Sequence, residues 1–217
     1  MIKVVIFDFD DTLCLTEEAC FILENKIAEE MGFPPMTRKT HQKNWGKFLG
    51  DAIVERIPGI DPVEFLKRQE AFFSQYMSES GFDSVSAANL DVLDELKKAG
   101  KKLAILTNRS LAEAKHLMHE DHPLTKRLDF FYYKDILDYH KPDPRAFNQA
   151  LKFFDVTPEE CVYVGDSLGD GHAAKNAGMH FIAVLESGIR TKKDFIDIPE
   201  DYFAKKFTDI LPYILAN

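Results

Sequence analysis

The sequence predicts an α/β fold: a Rossmann-like three-layer core around a parallel sheet, plus a small all-helical domain. Three observations predict it. Short, continuous apolar runs rich in β-branched residues recur along the 217 residues. Helical periodicity fills the intervals between the later runs, the alternation that builds parallel sheets. The interval between the first run and the second is far longer than the dozen or so residues a crossover needs.

Val4-Val5-Ile6-Phe7 is the first run, the pattern of a strand buried on both faces. The chain from Thr16 to Gly81 then reads as nearly all helix. One segment carries Phe21, Ile22, Ile27 and Met31; a second, from Pro62 to Ser78, carries Phe65, Leu66, Phe72, Phe73 and Tyr76. Pro34-Pro35 and Pro58-Gly59 supply turns between helices. Residues 16–81 are therefore assigned to a helical insert, and residues 1–15 with 82–217 to the core. Asn89 to Ala99 has Leu90, Leu93 and Leu96 at helical spacing, with Gly100 as a stop. The second run is Lys102 to Leu106. No element suggests itself from Asp121 to His140, except that Phe130-Phe131-Tyr132-Tyr133 fits an added short strand. Pro144 to Phe154 opens on a proline suited to a first turn and lines up Phe147, Leu151 and Phe154. Cys161 to Val164 and Phe181 to Val184 complete the strands, with a small-residue helix from Gly169 to Ala177 between them and Gly178 as its stop.

Composition narrows the function. The chain is 45% hydrophobic and 29% charged, ordinary for a globular protein that buries a core without staples. A net charge of −9 disfavours nucleic acid and anionic membrane, both of which need a cationic face. It also means that an anionic substrate would need a divalent cation and local Lys or Arg at its site. Cys14, Cys20 and Cys161 are odd in number and form no CxxC, so a reducing compartment is expected. No apolar run is long enough for a signal h-region or a membrane span, and a cytoplasmic location is the expectation.

The chemistry-bearing residues gather at predicted strand ends. Asp8 and Asp10 follow the first run, and residues two apart in an extended chain point to one side. Taken alone, the pair also fits a solvated acidic turn. Asp166 and Asp170 repeat the arrangement after the third helix-bounded run; helix capping explains one of them and leaves the other over. Carboxyl ends of parallel strands are where open α/β sheets bind ligands, and a set of hard oxygens suits Mg²⁺. Thr107-Asn108 precedes a helix start near Ser110, which fits a phosphate cradle or a simple cap. Lys141 lies on a proline-framed loop just before a helix.

Asp8-Phe9-Asp10-Asp11-Thr12-Leu13, Leu106-Thr107-Asn108, Lys141-Pro142-Asp143-Pro144 and Gly165-Asp166-Ser167-Leu168-Gly169-Asp170 together resemble the four motifs of the haloacid dehalogenase superfamily, in order and at compatible spacing. Ala173-Ala174-Lys175-Asn176-Ala177-Gly178 resembles the helix that follows the fourth motif. The resemblance implies a phosphoglycolate phosphatase-like branch whose cap domain is the helical insert. It implies that Asp8 attacks phosphorus and becomes an aspartyl-phosphate, and that Asp10 acts as acid and then as base. It also implies that Asp8, the Asp10 carbonyl and Asp166 hold Mg²⁺, with Asp170 behind them orienting water or Lys141. Thr107, the Asn108 amide and Lys141 would hold phosphoryl oxygens. Asp11 stands where many relatives have Gly, and His140 precedes the lysine where Gly is common. Asp10 argues against a true dehalogenase, which needs no acid there.

Other signals read as structural. His116, His119 and His122 are spaced like metal ligands but fit a surface helix, since no carboxylate pair converges with them. Cys14 fits a buried small residue. Trp45 and the insert's phenylalanines fit helix packing. Arg38, Lys39, Lys43 and Lys47 fit a solvated face that could favour an entering anion. The expectation is a Mg²⁺-dependent phosphatase for a small phosphorylated metabolite, monomeric or homodimeric, with a phosphosugar mutase or a receiver-type phosphoacceptor domain as alternatives.

Overall fold

A computed structural model describes all residues, Met1–Asn217. Six strands form one parallel sheet: β1 (Val4–Phe7), β2 (Lys102–Leu106), β3 (Phe130–Tyr132), β4 (Cys161–Gly165), β5 (His180–Val184) and β6 (Tyr202–Ala204). Their order in the sheet is β3-β2-β1-β4-β5-β6. The chain runs outward from β1 to one edge and then outward to the other. The order therefore reverses at β1, and a crevice opens beyond the carboxyl ends of β1 and its neighbours.

Strand alternation sorts the core into two layers. Val5, Phe7, Leu103, Ile105, Val162 and Val164 point to one face and pack on α5 (Ala87–Lys98) and α9 (Ile210–Ala216). Val4, Ile6, Ala104, Leu106 and Tyr163 point to the other and meet Phe147, α7 (Asn148–Phe154) and α8 (Leu168–Asn176). This is the predicted three-layer α/β core. The strands begin and end within a residue of the apolar runs. The short strand at Phe130 is present, whereas β6 and α9 were not read from the sequence. The proline-led segment starts as a 3-10 turn, Pro144–Phe147, and becomes helix only at Asn148.

Between β1 and α5 lie α1 (Glu17–Glu30), α2 (Arg38–Lys43), α3 (Leu49–Arg56) and α4 (Pro62–Ser80). They share an apolar cluster of their own, built on Leu23, Ile27, Ile53, Phe65, Phe73 and Met77. Asp61 caps α4 by accepting from the Val63 amide at 2.9 Å, Pro62 fills the first turn, and Gly81 ends the helix in the left-handed region. Asp11 explains the turn out of β1. Its φ is +51°, a conformation that glycine takes freely and Asp tolerates. Its Oδ1 accepts from the amides of Thr16 at 2.8 Å and Glu17 at 3.2 Å, the first turn of α1. Asp thus replaces glycine's freedom with a cap. No helix is long and apolar enough to cross a membrane.

Candidate active site

Register brings the first two acidic stretches together. Phe7 pairs with Val164, and the Asp8 amide donates to the Val164 carbonyl at 2.8 Å. Asp8 therefore leaves β1 beside Asp166 leaving β4. Carboxylate oxygens of Asp8, Asp166 and Asp170 all lie within 4.8 Å of one another, and all three side chains are buried. Gly165 makes this possible: a Cβ there would sit 2.6 Å from the Asp170 Cβ. Asp170 is also part of a capping box, since the Ser167 hydroxyl accepts from the Asp170 amide while the Ser167 amide and hydroxyl donate to Asp170 Oδ2 at 3.0 and 2.7 Å. Capping thus accounts for Asp170, and Asp166 is the residue left over.

Lys141 reaches this cluster from the loop before Pro142. Its Nζ donates to Asp170 Oδ1 at 2.7 Å and to the Tyr163 hydroxyl at 2.6 Å, and lies 2.9 Å from Asp8 Oδ1. The Tyr163 hydroxyl in turn donates to the Leu106 carbonyl, tying Lys141 to the sheet. Burial alone would lower the Lys141 pKa, but Asp170 and Asp8 overcome that and hold the ammonium charged. Burial pushes the Asp8 carboxyl up to about 7 against the pull of Lys141. Burial, followed by the nearby carboxylates of Asp11, Asp170 and Asp8, raises Asp166 as well. Asp166 meets only the Thr12 hydroxyl, at 3.3 Å. Three buried carboxylates against one ammonium leave an excess of negative charge. An all-oxygen donor set of this kind fits a hard divalent cation.

Thr107 and Asn108 follow β2 on the other side of β1. The Thr107 hydroxyl accepts from the Arg109 amide at 3.2 Å, and the Asn108 side-chain amide donates to the Lys141 carbonyl at 3.1 Å. The cap of α6 (Leu111–Ala114) belongs to Ser110, whose amide and hydroxyl both donate to Glu113. Neither Thr107 nor Asn108 is spent on capping. Asp8, Asp10, Thr107, Asn108, Lys141, Asp166 and Asp170 all line one cavity of about 690 Å³, which Trp45, Lys47 and Arg56 bound from the helical side. The residues expected to act on phosphate or hold the cation are all brought together there. His140 is not among them: it faces the Lys134 carbonyl at 3.0 Å.

The family model for haloacid dehalogenase-like hydrolases matches residues 5–184. The chain belongs to this family. It is 29% identical over 196 residues to a phosphoglycolate phosphatase of Nitrosospira multiformis, covering 84% of this chain and 83% of that one. It is 31% identical over 203 residues to a phosphoglycolate phosphatase of Xylella fastidiosa, covering 88% and 83% of the two. Its fold matches that of CbbY from Rhodobacter sphaeroides in complex with phosphate with a TM-score of 0.80, over 97% of this chain and 96% of that one at 24% identity.

This haloacid dehalogenase-like site holds three polar residues that the sequence reading missed. Arg109 is buried and pairs with both Asp10 and Asp83, each at 2.6 Å. His116 lies 2.6 Å from Asp83. The expected surface role of His116 is thus corrected: it packs inward on a carboxylate, while His119 remains exposed. A polar residue directly after Thr107-Asn108 was the available signal for Arg109; nothing in the sequence marks Asp83. The basic residues of the helical segment also part company. Arg38 pairs with Glu17, Lys47 with Glu55, and Lys43 and Lys47 border the cavity.

Proposed function

We propose that the chain is a Mg²⁺-dependent phosphatase that hydrolyses a small-molecule phosphate monoester through an aspartyl-phosphate on Asp8. One observation carries the reading: buried Asp8, Asp166 and Asp170 converge within 4.8 Å while Lys141 Nζ lies 2.9 Å from Asp8. In this mechanism Asp8 attacks phosphorus, and the departing oxygen takes a proton from Asp10. Asp10 then takes a proton from the water that attacks the aspartyl-phosphate, releasing inorganic phosphate and restoring Asp8. Lys141, the Thr107 hydroxyl and the Asn108 backbone amide hold the transferring phosphoryl oxygens. Asp8, the Asp10 carbonyl and Asp166 would hold Mg²⁺, which when bound would supply charge neutralisation for nucleophile and phosphate. Asp170 fixes Lys141 through the 2.7 Å contact to its Oδ1 and is itself fixed by Ser167.

Residues 16–81 act as a cap over a core of residues 1–15 and 82–217. The helical segment's separate apolar cluster supports this, as do polar contacts that it makes with the core. Arg190 donates to the Trp45 carbonyl at 3.1 Å, Lys134 lies 4.4 Å from the centre of the Phe48 ring, and Gln69 donates to Glu113 at 2.8 Å. Gly46 sits close enough to Ser167 that an added Cβ would be 3.1 Å from its Cβ. Interfaces of this kind permit opening and closure around substrate. A cavity of about 690 Å³ matches the size of small-molecule sites, and relatives named phosphoglycolate phosphatase favour a small phosphorylated metabolite. The net charge of −9 supports a protein that engages neither nucleic acid nor anionic membrane, and three free, buried cysteines support a reducing, cytoplasmic compartment. The assembly is a monomer or a homodimer.

Asp8→Asn tests the nucleophile. Turnover of phosphate monoesters is expected to fall by about a thousand-fold or more, with an unchanged circular dichroism spectrum. A folded variant that kept most of its turnover would remove Asp8 from the mechanism. Release of inorganic phosphate, with no isomeric phosphate formed from a hexose phosphate, separates hydrolysis from mutase chemistry.

A further inference from the structure

Arg109 is held on every side. Its Nε donates to Asp10 Oδ2 at 2.9 Å and its Nη2 to Asp10 Oδ1 at 2.6 Å, a bidentate pair. Its second edge donates to Asp83, Nη1 to Oδ2 at 2.6 Å and Nη2 to Oδ1 at 3.0 Å. Its guanidinium carbon lies 4.6 Å from the ring centre of Phe9, just beyond β1, and 4.7 Å from that of Phe73, on α4. His116 Nε2, 2.6 Å from Asp83 Oδ2, braces the far carboxylate. A planar guanidinium with both edges engaged between two rings has almost no freedom left, and it imposes its plane on the carboxylate it grips.

The Asp10 carboxylate is therefore fixed in direction. It can turn only by breaking two charge-assisted bonds to Arg109 and the 2.6 Å bond from the Thr16 hydroxyl to Oδ1. Oδ2 carries the Arg109 Nε bond alone, so it keeps acceptor capacity, and the Asp10 side chain is 26% exposed where it borders the cavity. We propose that Arg109, braced by Asp83 and His116, is a positioning residue for proton transfer: it aims Asp10 at the oxygen that leaves phosphorus. The proposal rests on the reading of Asp10 as the acid and base of a phosphatase. Arg109 touches neither the phosphoryl group nor the cation in this scheme; it acts through Asp10. A lysine carries the charge without the planar fork and would not reproduce it.

The experiment compares kcat/KM, which reports through departure of the leaving group, on two probes with Mg²⁺ present. Glycerol 2-phosphate has a poor leaving group that needs a proton; p-nitrophenyl phosphate has a good one that does not. Arg109→Met is expected to lose about a hundred-fold on the first, the scale of a misdirected general acid, and only a few-fold on the second. Arg109→Lys should resemble Arg109→Met. Because removing a buried arginine can unfold a protein, Asp83→Asn serves as a second variant. It leaves Arg109 and its charge in place and should give the same substrate-dependent pattern at smaller size. In an Asp10→Asn background, Arg109→Met should add little further loss on glycerol 2-phosphate. Equal losses on the two probes, or none, in the folded variants would overturn the positioning role. Asp10→Asn losing nothing on glycerol 2-phosphate would instead fell the assignment of Asp10 beneath it.

Discussion

The helical segment and the sheet each bury a cluster of ionisable side chains, and the two clusters differ in their balance. Among the helices, His41 lies between Glu17 at 2.8 Å and Glu24 at 3.3 Å, Arg56 pairs with Glu24 at 2.6 Å, and Arg38 pairs with Glu17 at 2.6 Å. Asn44 accepts from Arg56 Nε at 2.6 Å. Each carboxylate has its cation within the chain. At the strand ends, Asp8 and Asp170 share Lys141, and Asp166 has no basic partner. A self-contained buried network holds helices in place. An unbalanced one has an unfilled electrostatic need, kept at a cost in stability, which the proposed cation and anionic substrate would complete.

The largest effect that would break this contrast is on folding. Arg56→Met leaves Glu24 buried without its guanidinium partner and is expected to cost about 3–5 kcal/mol in chemical denaturation, equally with Mg²⁺ or with EDTA. Lys141→Met removes the sole ammonium from the other cluster. Its loss should be large in EDTA and substantially recovered by Mg²⁺, because an added cation takes over part of the neutralisation. Identical responses of the two variants to Mg²⁺ would erase the distinction.

A smaller effect appears in the pH dependence of stability. Burial raises the Asp8 carboxyl from its ordinary 3.8 to about 7. A carboxyl that binds its proton more tightly when folded contributes most below its unfolded pKa, and the contribution is lost as pH rises through the folded value. Denaturation in EDTA should therefore show site-derived stability declining between about pH 4 and pH 7, with added Mg²⁺ opposing the decline. Glu17 behaves oppositely. Burial pushes it up, but hydrogen bonds from Arg38 and His41 outweigh that and leave it lowered, so its contribution persists above its unfolded pKa and fades as pH falls. Stability in EDTA that does not fall across that interval would contradict the excess charge assigned to the strand ends.

How much the sequence disclosed follows from the same physics. β1, β2, β4 and β5 are buried on both faces and so read as unbroken apolar runs. Tyr202–Ala204 is only three residues at the sheet edge, and α9 carries Pro212, so neither announces itself. Asp8, Asp10, Thr107, Asn108, Lys141, Asp166 and Asp170 were legible because each stands at a strand end or on a framed loop, positions set by local pattern. Arg109 and Asp83 were not, because their meaning lies in pairings 99 and 26 residues apart that only the assembled chain creates. His116 looked like one of three surface histidines until the fold laid Asp83 against it. Asp11, noted as a departure from glycine, turned out to meet the same backbone demand by another means.

Calorimetric titration with Mg²⁺ at pH 8, on the wild-type chain and on Asp166→Asn, tests the central claim most directly. The wild type should take up one ion at a saturable site, and Asp166→Asn, folded by circular dichroism, should lose that binding. A variant that bound Mg²⁺ as tightly as the wild type would show that the buried carboxylates at the ends of β1 and β4 do not hold the cation.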